Sequence, residues 1–300
     1  MSDNAGNRAR RLALHAEGQR LHDEGRDDDA IEKYREAIAA EPAGAASSHY
    51  NIGLIHKYRM EWQASFDANL ASYTLDPESE STRWNLAIAA TALHDWPSAR
   101  RAWADQGIVL DGEGPIASDF GQTPVRLNPD GNGEVVWARR IDPVRARIEN
   151  VPLPDSGYCC GDIVLHDGAG VGYRQLGERK APVFNVFCVF APSPLSTFEL
   201  LIDAQDAAAV AALIAQLAAA GLHGEDWSDS VQAICRQCSE GVPHDHVEAP
   251  VEALWQTSRR LGIASASSEA IELVLGKWQA GGGTVGTLTC ALAADEFVEN

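Results

Sequence analysis

Residues 50–53 read YNIG and residues 84–87 read WNLA, so a pattern of aromatic, asparagine, aliphatic and small residue recurs after 34 positions. A related segment, residues 30–42 (AIEKYREAIAAEP), spaces alanine, tyrosine, alanine and proline at intervals of 4, 3 and 5 residues. Self-similarity with a period of about 20 to 50 residues indicates a protein built from stacked repeats. The sequence therefore predicts helical hairpins over the first third of the chain.

This spacing resembles the tetratricopeptide repeat (TPR), in which a small residue, an aromatic, a small residue and a closing proline stand at these offsets. Three copies are expected, at residues 11–44, 46–79 and 80–113. The resemblance implies that small residues let the two helices of a hairpin approach closely and that large residues fill the seams between stacked helices. The small positions are Gly18, Gly53 and Ala87, and the large positions are Tyr34, Trp62 and Trp103.

Two departures from the TPR pattern occur in the later copies. Asn69 stands where an aromatic residue is usual, and the third copy has no closing proline. A degenerate last copy is expected where a solenoid ends or docks onto something else. The resemblance covers about a third of the chain and predicts its fold more strongly than its function.

In TPR proteins, the first helices of the hairpins line a groove that usually holds a peptide or a partner helix. Asn51 and Asn85 match positions that often bind a ligand's backbone, whereas Lys57 is the one basic groove residue found, too few for a carboxylate clamp. A second interpretation is that this face packs on the protein's own later domains. The predicted groove residues are Tyr50, Asn51, Leu54, Lys57, Trp84, Asn85 and Ile88, with His15 and Gln19 beside them.

Net charge and composition limit the kind of partner. The chain carries a formal net charge of −19, of which residues 193–300 contribute −11 from 4 basic and 15 acidic side chains. Such a surface repels nucleic acid and attracts basic proteins, although acidity also serves solubility alone. The sequence has no membrane-spanning apolar run and no standard signal segment, and its six unevenly spaced cysteines do not form a disulfide framework. These features predict a cytoplasmic protein.

The middle of the chain, residues 114–192, is predicted to hold a linker and a small β-rich module. Residues 109–133 are rich in Gly, Pro and Asp, as linkers are. Short β-like runs follow, and they favour a strongly bent sheet or a barrel. Asp162, His166 and Asp167 are a weak candidate for acid–base chemistry, and the adjacent Cys159 and Cys160 have no assigned role. The predicted strands are Glu134–Ile141, Arg145–Val151, Asp162–His166 and Val183–Phe190.

Residues 193–300 have the element order β-α-β-β-α-β, which predicts a ferredoxin-like domain with two helices on one face of a four-stranded antiparallel sheet. Asp206 is expected to cap the first helix and Gly221 to end it. The predicted strands are Thr197–Asp203, Ser230–Cys238, Leu254–Ala264 and Thr284–Leu292, and the predicted helices span residues 207–220 and 269–279.

A cysteine–histidine cluster lies at the expected tip of the central hairpin of this domain. The segment from Cys235 to His246 reads CRQCSEGVPHDH, and Gly241 and Pro243 favour reversal of the chain. Thiolate and imidazole ligands within such a turn suit tetrahedral zinc, and four protein ligands leave no position for a catalytic water. The sequence therefore predicts a structural zinc ion, with an exposed turn or a redox pair as alternatives. The predicted ligands are Cys235, Cys238, His244 and His246.

Together these features predict a non-enzymatic cytoplasmic adaptor, multidomain with α and α+β parts, that binds a protein or peptide partner, including a basic one. An alternative in the same class is an acidic protein of the bacterial immunity type that neutralises a basic toxin. The competing class is a zinc-dependent enzyme that uses the last domain or the region of Asp162 and His166. The common nucleotide-binding, esterase and metalloprotease motifs are absent from the sequence.

Overall fold

The computed structural model describes residues 2–131, 133–228 and 255–294. The chain divides into two compact units, Met1–Ile116 and Ala117–Asn300. The second unit contains both β-rich segments, so the expected boundary after residue 192 falls inside it. Among the described residues, no helix is long and apolar enough to cross a membrane.

The first unit is an array of helices joined by short connections. Each helix packs mainly on its neighbours along the chain, which gives three consecutive hairpins among the described residues. The turn between the first two helices uses Gly25, whose φ of 75° is a left-handed conformation that glycine adopts without strain. The helices are α1 (Ser2–Asp23), α2 (Asp27–Ala40), α3 (Ala46–Tyr58), α4 (Trp62–Leu75), α5 (Glu80–Ala92) and α6 (Trp96–Ala104).

In each of the first two hairpins, the paired helices are in close contact at a glycine. A Cβ atom at Gly18 would lie 2.6 Å from the ring of Tyr34, which is fully buried, and a Cβ atom at Gly53 would overlap the side-chain amide of Asn69. Asn69 donates a hydrogen bond to the carbonyl of Ser65 at 2.8 Å within α4. The amide therefore fills the space where the repeat pattern has an aromatic ring.

The third hairpin is shorter than the others and uses a different contact. Trp103 on α6 is fully buried and meets Trp84 on α5 edge-on, with ring centroids 4.9 Å apart. Ala87 is fully buried, whereas Trp62 is only half-buried. Helix α6 has 9 residues and ends at Ala104; Pro97 lies in its first turn, and no proline directly follows its last turn.

A closed five-stranded barrel forms the first part of the second unit. Its first strand was not expected, because Gln122–Leu127 falls inside the predicted linker. That strand pairs antiparallel with the next one and parallel with the last, and the parallel contact closes the barrel. The strands are β1 (Gln122–Leu127), β2 (Glu134–Arg140), β3 (Arg145–Ile148), β4 (Ile163–Leu176) and β5 (Arg179–Ala191).

A four-stranded antiparallel sheet with two helices follows the barrel. The strands lie in the order β7-β8-β6-β9, and the sheet shares an apolar core with both helices. Asp206 caps α7 by accepting a hydrogen bond from the backbone N–H of Ala209 at 2.9 Å, as expected. The elements are β6 (Ser196–Asp203), α7 (Ala207–Ala219), β7 (His223–Asp226), β8 (Ser258–Ser265), α8 (Ser268–Ala280) and β9 (Thr284–Leu292).

The strand that follows α7, β7, lies in a segment that the sequence did not predict to be a strand. This segment, His223–Asp226, pairs with β8. The predicted strand Ser230–Cys238 lies outside the described residues. Gly221, at φ 77°, ends α7 and turns the chain directly into β7. The strand is short and polar, so it lacks the apolar alternation that identifies strands in a sequence.

Within the second unit, the barrel and the sheet meet around Val151. Trp227, which is almost fully buried, donates its indole N–H to the carbonyl of Val151 at 2.9 Å. Glu225 accepts a hydrogen bond from the backbone N–H of Val151 at 2.9 Å, and Glu134 accepts one from Leu153 at 3.1 Å. This segment is therefore held from the sheet side and from the barrel side at once.

Candidate partner-binding groove

A cavity of about 290 Å³ opens between α1 and α3 in the helical unit. Asn51 and Leu54, two of the predicted groove residues, line it, and so does Gln19. His22, Asp23 and Tyr34 complete the lining, and the sequence did not single out these residues for binding. The spacing of Gln19, His22 and Asp23 at i, i+3 and i+4 is the signal that places them on one helix face.

The packing of the first hairpin fixes the position of Tyr34. Its ring lies against Gly18, and its hydroxyl is buried without a hydrogen-bond partner among the described residues. Burial raises the pKa of Tyr34; nearby Asn51 lowers it, and the carboxylates of Asp23 and Asp27 raise it further. Asn51 is thus close to the hydroxyl, but no hydrogen bond of normal geometry joins the two. The cavity therefore contains an unused hydrogen-bonding group.

Carboxylates determine the electrostatic character of this cavity. Asp27 accepts a hydrogen bond from His22 Nδ1 at 2.6 Å and lies 3.7 Å from Arg59. Arg59 makes a closer ion pair with Asp28, at 2.6 Å. Asp23 makes no hydrogen bond or ion pair with any described residue. The cavity lining contains one carboxylate, Asp23, and no lysine or arginine, which favours a cationic ligand over an anionic one.

The remaining predicted groove residues lie on α3 and α5 and do not line this cavity. Asn85 is buried, with its amide nitrogen lacking a hydrogen-bond partner in the described part of the chain, and Ile88 is fully buried. Tyr50 and Trp84 are half-buried, and the Trp84 ring packs on α6. The ammonium of Lys57 lies 4.4 Å from the centroid of the Tyr58 ring.

His15, which was predicted to lie beside the groove, instead contacts residues of the first two hairpins. Its Nδ1 atom lies 2.9 Å from the hydroxyl of Ser48, and its ring is 5.4 Å from that of Tyr34. Burial lowers the pKa of His15, and nearby Arg11 lowers it further. The neutral ring therefore links the first two hairpins through Ser48.

The candidate acid–base residues of the barrel take structural positions. Asp162 accepts hydrogen bonds from the backbone N–H groups of Cys159 at 2.8 Å and Ser193 at 2.7 Å. His166 is fully buried, stacks on Phe184, and has its Nδ1 atom 2.7 Å from the carbonyl of Asp167. Burial lowers the pKa of His166 to about 4.

The adjacent cysteines are both buried in the second unit. Cys160 packs with Val151, Trp227 and Ala264 where the barrel meets the sheet. Burial, with a smaller contribution from nearby carboxylates, raises the pKa of the Cys160 thiol to about 12. The thiol form is therefore favoured, and a thiol is a poor nucleophile.

The predicted zinc ligands Cys235, Cys238, His244 and His246 lie outside the described residues. In the parts of the chain that the structure describes, no group of three or more His, Cys, Asp or Glu side chains is placed to hold a metal ion. The zinc site stays a prediction from the sequence.

No protein-family model and no curated protein matches the chain. Among solved structures, the first TPR of Spaghetti (RPAP3), bound to the HSP90 peptide SRMEEVD, is similar over 33% of this chain and 77% of its own, with 16% identity and a TM-score of 0.31. A hypothetical protein from Neisseria gonorrhoeae is similar over 59% of this chain and 96% of its own, with 12% identity and a TM-score of 0.27. Similarities of this size assign neither a family nor an activity to the chain.

Proposed function

We propose that this chain is a protein-binding module whose partner lies along the face formed by α1, α3 and α5. The observation that carries the proposal is the cavity between α1 and α3, with the buried hydroxyl of Tyr34 at its wall. A buried polar group without a partner costs about 1 to 3 kcal/mol in a folded protein. A bound partner that supplied the missing hydrogen bond would recover that cost.

Asn51 and Asn85 support an extended binding surface rather than a single pocket. They stand 34 residues apart at equivalent positions of the second and third hairpins. Asn51 borders the cavity, and the amide nitrogen of Asn85 is a second donor without a partner in the described residues. Amides at the spacing of the repeat are suited to binding the backbone of one extended peptide, and the Asn85 amide, which is buried, would reach it only after a shift of the side chains that cover it.

The fold assignments that accompany this proposal rest on packing and topology. The contacts of Gly18 with Tyr34 and of Gly53 with Asn69 support a TPR array, because each pairs the small and large positions of that pattern. The strand order β7-β8-β6-β9, with each neighbouring pair antiparallel, supports a ferredoxin-like domain. Binding by the first unit requires no catalytic group.

An affinity capture with the intact chain tests the proposal. Wild-type protein and a double variant, Asn51→Ala with Asn85→Ala, serve as baits under identical conditions, and bound proteins are quantified by mass spectrometry. The double variant is expected to lose the bound proteins that wild type retains, because both amides are removed from the groove. A thermal melt followed by circular dichroism checks that the variant is folded.

Gln63→Ala is the matched control. Gln63 is an exposed amide on α4 that donates to Asp67 at 2.9 Å and does not belong to the proposed face. This control is expected to retain the same bound proteins as wild type. Equal recovery by the folded double variant and by wild type would contradict the groove proposal.

A further inference from the structure

The cavity between α1 and α3 contains features that specify more than a generic peptide site. Three of its lining residues, Gln19, His22 and Asp23, belong to the last five residues of α1. The C-terminal end of a helix carries a partial negative charge, so a carboxylate there is unfavourable unless a cation lies nearby. Arg20 and His22 lie in the same turn, but Arg20 pairs with Glu24 and His22 with Asp27, and neither makes an ion pair with Asp23.

We infer that this cavity binds the cationic side chain of a lysine or arginine from the partner, an inference that rests on the proposed groove function. Asp23 offers a carboxylate, and the side-chain oxygens of Gln19 and Asn51 and the unpartnered hydroxyl of Tyr34 are further acceptors. A lysine ammonium carries three donors and an arginine guanidinium five, so several of these acceptors are satisfied together.

The apolar part of the cavity suits the stem of such a side chain. Leu54 lines the wall, and the Tyr34 ring, packed on Gly18, adds an aromatic surface. Lysine and arginine bury their methylene stems against apolar groups while the charged end binds polar ones. Asp27, a second carboxylate near the cavity, already interacts with His22 and Arg59. Asp23 is therefore the carboxylate of the lining that is available to a ligand.

The opposite specificity is disfavoured by the same residues. A carboxylate ligand needs several basic side chains in the groove, and the lining contains neither lysine nor arginine. Lys57 is one helical turn beyond Leu54, with its ammonium at the ring of Tyr58. An acidic side chain in this cavity would therefore meet Asp23 without compensation.

Two small probes test the inference without knowledge of the partner. One is Nα-acetyl-lysine N-methylamide, whose side-chain ammonium is free, and the other is its norleucine analogue, which has a similar stem without the ammonium. Isotope-labelled full-length protein is titrated with each probe and followed by NMR. The lysine probe is expected to shift the signals of Gln19, Asn51 and Leu54 in a saturable way, and the norleucine probe is not.

Asp23→Asn is expected to weaken the lysine probe about tenfold, as loss of a hydrogen bond to a charged group does. Tyr34→Phe keeps the ring on Gly18 but removes the hydroxyl, and it is expected to weaken binding of the lysine probe about threefold. The matched control is Asp67→Asn, which removes one exposed negative charge from α4 without breaking an ion pair, and is expected to change affinity less than twofold.

The outcomes separate this inference from the groove proposal. Equal binding of the lysine and norleucine probes at the cavity overturns the cation specificity and leaves the groove intact. Lysine-induced shifts spread over the exposed carboxylates, or equal weakening by Asp23→Asn and Asp67→Asn, also overturn it. Failure of the groove itself is read separately, from equal protein capture by wild type and the double asparagine variant.

Discussion

At the scale of single residues, glycines set how closely the paired helices approach. A Cβ atom at Gly18 would lie 2.6 Å from the Tyr34 ring, whereas Gly6 in the same helix has open space around it. Both sites gain about 1 kcal/mol of helix propensity from a Gly→Ala change. The difference between the two variants therefore isolates the packing contribution of Gly18.

Gly18→Ala is expected to lower the free energy of unfolding by about 1 to 2 kcal/mol, because overpacking costs more than the helix propensity gained. Gly6→Ala is expected to raise stability by up to about 1 kcal/mol, because no contact opposes the gain in helix propensity. Urea denaturation followed by circular dichroism measures both. A Gly18→Ala variant as stable as Gly6→Ala would show that the first hairpin can widen at no cost.

A second effect at the residue scale concerns Glu134, whose pKa is raised to about 7 by burial, with nearby Glu225 adding to the rise. The backbone N–H of Leu153 partly opposes this rise. A carboxyl group with a raised pKa in the folded state binds a proton more tightly folded than unfolded. Its contribution to stability is complete below about pH 4.5 and is lost as the pH rises to about 7.

Glu134→Gln is expected to remove this loss, and to make the protein about 2 to 3 kcal/mol more stable than wild type at pH 8 while matching it near pH 4.5. The readout is the difference in unfolding free energy between variant and wild type across pH. Taking the difference matters because His166, with a pKa lowered to about 4, acts in the opposite direction between pH 4 and 6.5. Glu178→Gln, at an exposed position, is the control and is expected to show no such difference.

At the scale of elements, the sequence located segments whose polarity alternates or whose ends carry caps. Thr284–Leu292 is a strand with the expected limits, and α7 begins directly after its cap Asp206. Gln122–Leu127 was missed because Pro124 and the flanking Gly and Asp residues are typical of a linker. Its strand conformation depends on pairing with β2 and β5, which are distant contacts that local sequence does not report.

The candidate site was predicted in part for the same reason. Asn51 and Leu54 follow from the repeat positions, since the TPR pattern identifies the faces of the first helices. Asp23 and Tyr34 were not assigned to binding, because their role depends on how α1, α2 and α3 pack. Tyr34 was identified from sequence as a packing residue, and its ring does pack, but its hydroxyl remains without a partner among the described residues.

The predicted zinc site can be tested by measuring the metal content of the protein and the effect of losing the metal. Purified full-length protein is expected to contain about one zinc per chain, bound by Cys235, Cys238, His244 and His246. Cys235→Ser is expected to lose the metal and to lower the melting temperature if the ion is structural. Elemental analysis and calorimetry measure the two effects. Cys290→Ser, at an exposed free cysteine outside the set, is the control and should retain the zinc.

At the scale of the whole molecule, the net charge of −19 should be visible in how binding depends on salt. Exposed charges are screened over about 10 Å at 0.1 M salt and about 3 Å at 1 M. If a lysine or arginine side chain enters the cavity of the first unit, a basic partner is attracted at long range and fixed at short range. Its capture is therefore expected to fall at least tenfold between 0.05 and 0.5 M salt.

The position of the charges makes this prediction more specific. Residues 193–300 carry −11, whereas residues 1–110 carry −5 from 12 basic and 17 acidic side chains. Neutralising an exposed carboxylate anywhere weakens the long-range attraction, so Asp23→Asn and Asp67→Asn are expected to slow association equally at low salt. Only Asp23→Asn should also speed dissociation, because that carboxylate is the one proposed to contact the partner. Biosensor kinetics at several salt concentrations separate the two rates, and a partner whose affinity is insensitive to salt would contradict a cationic ligand.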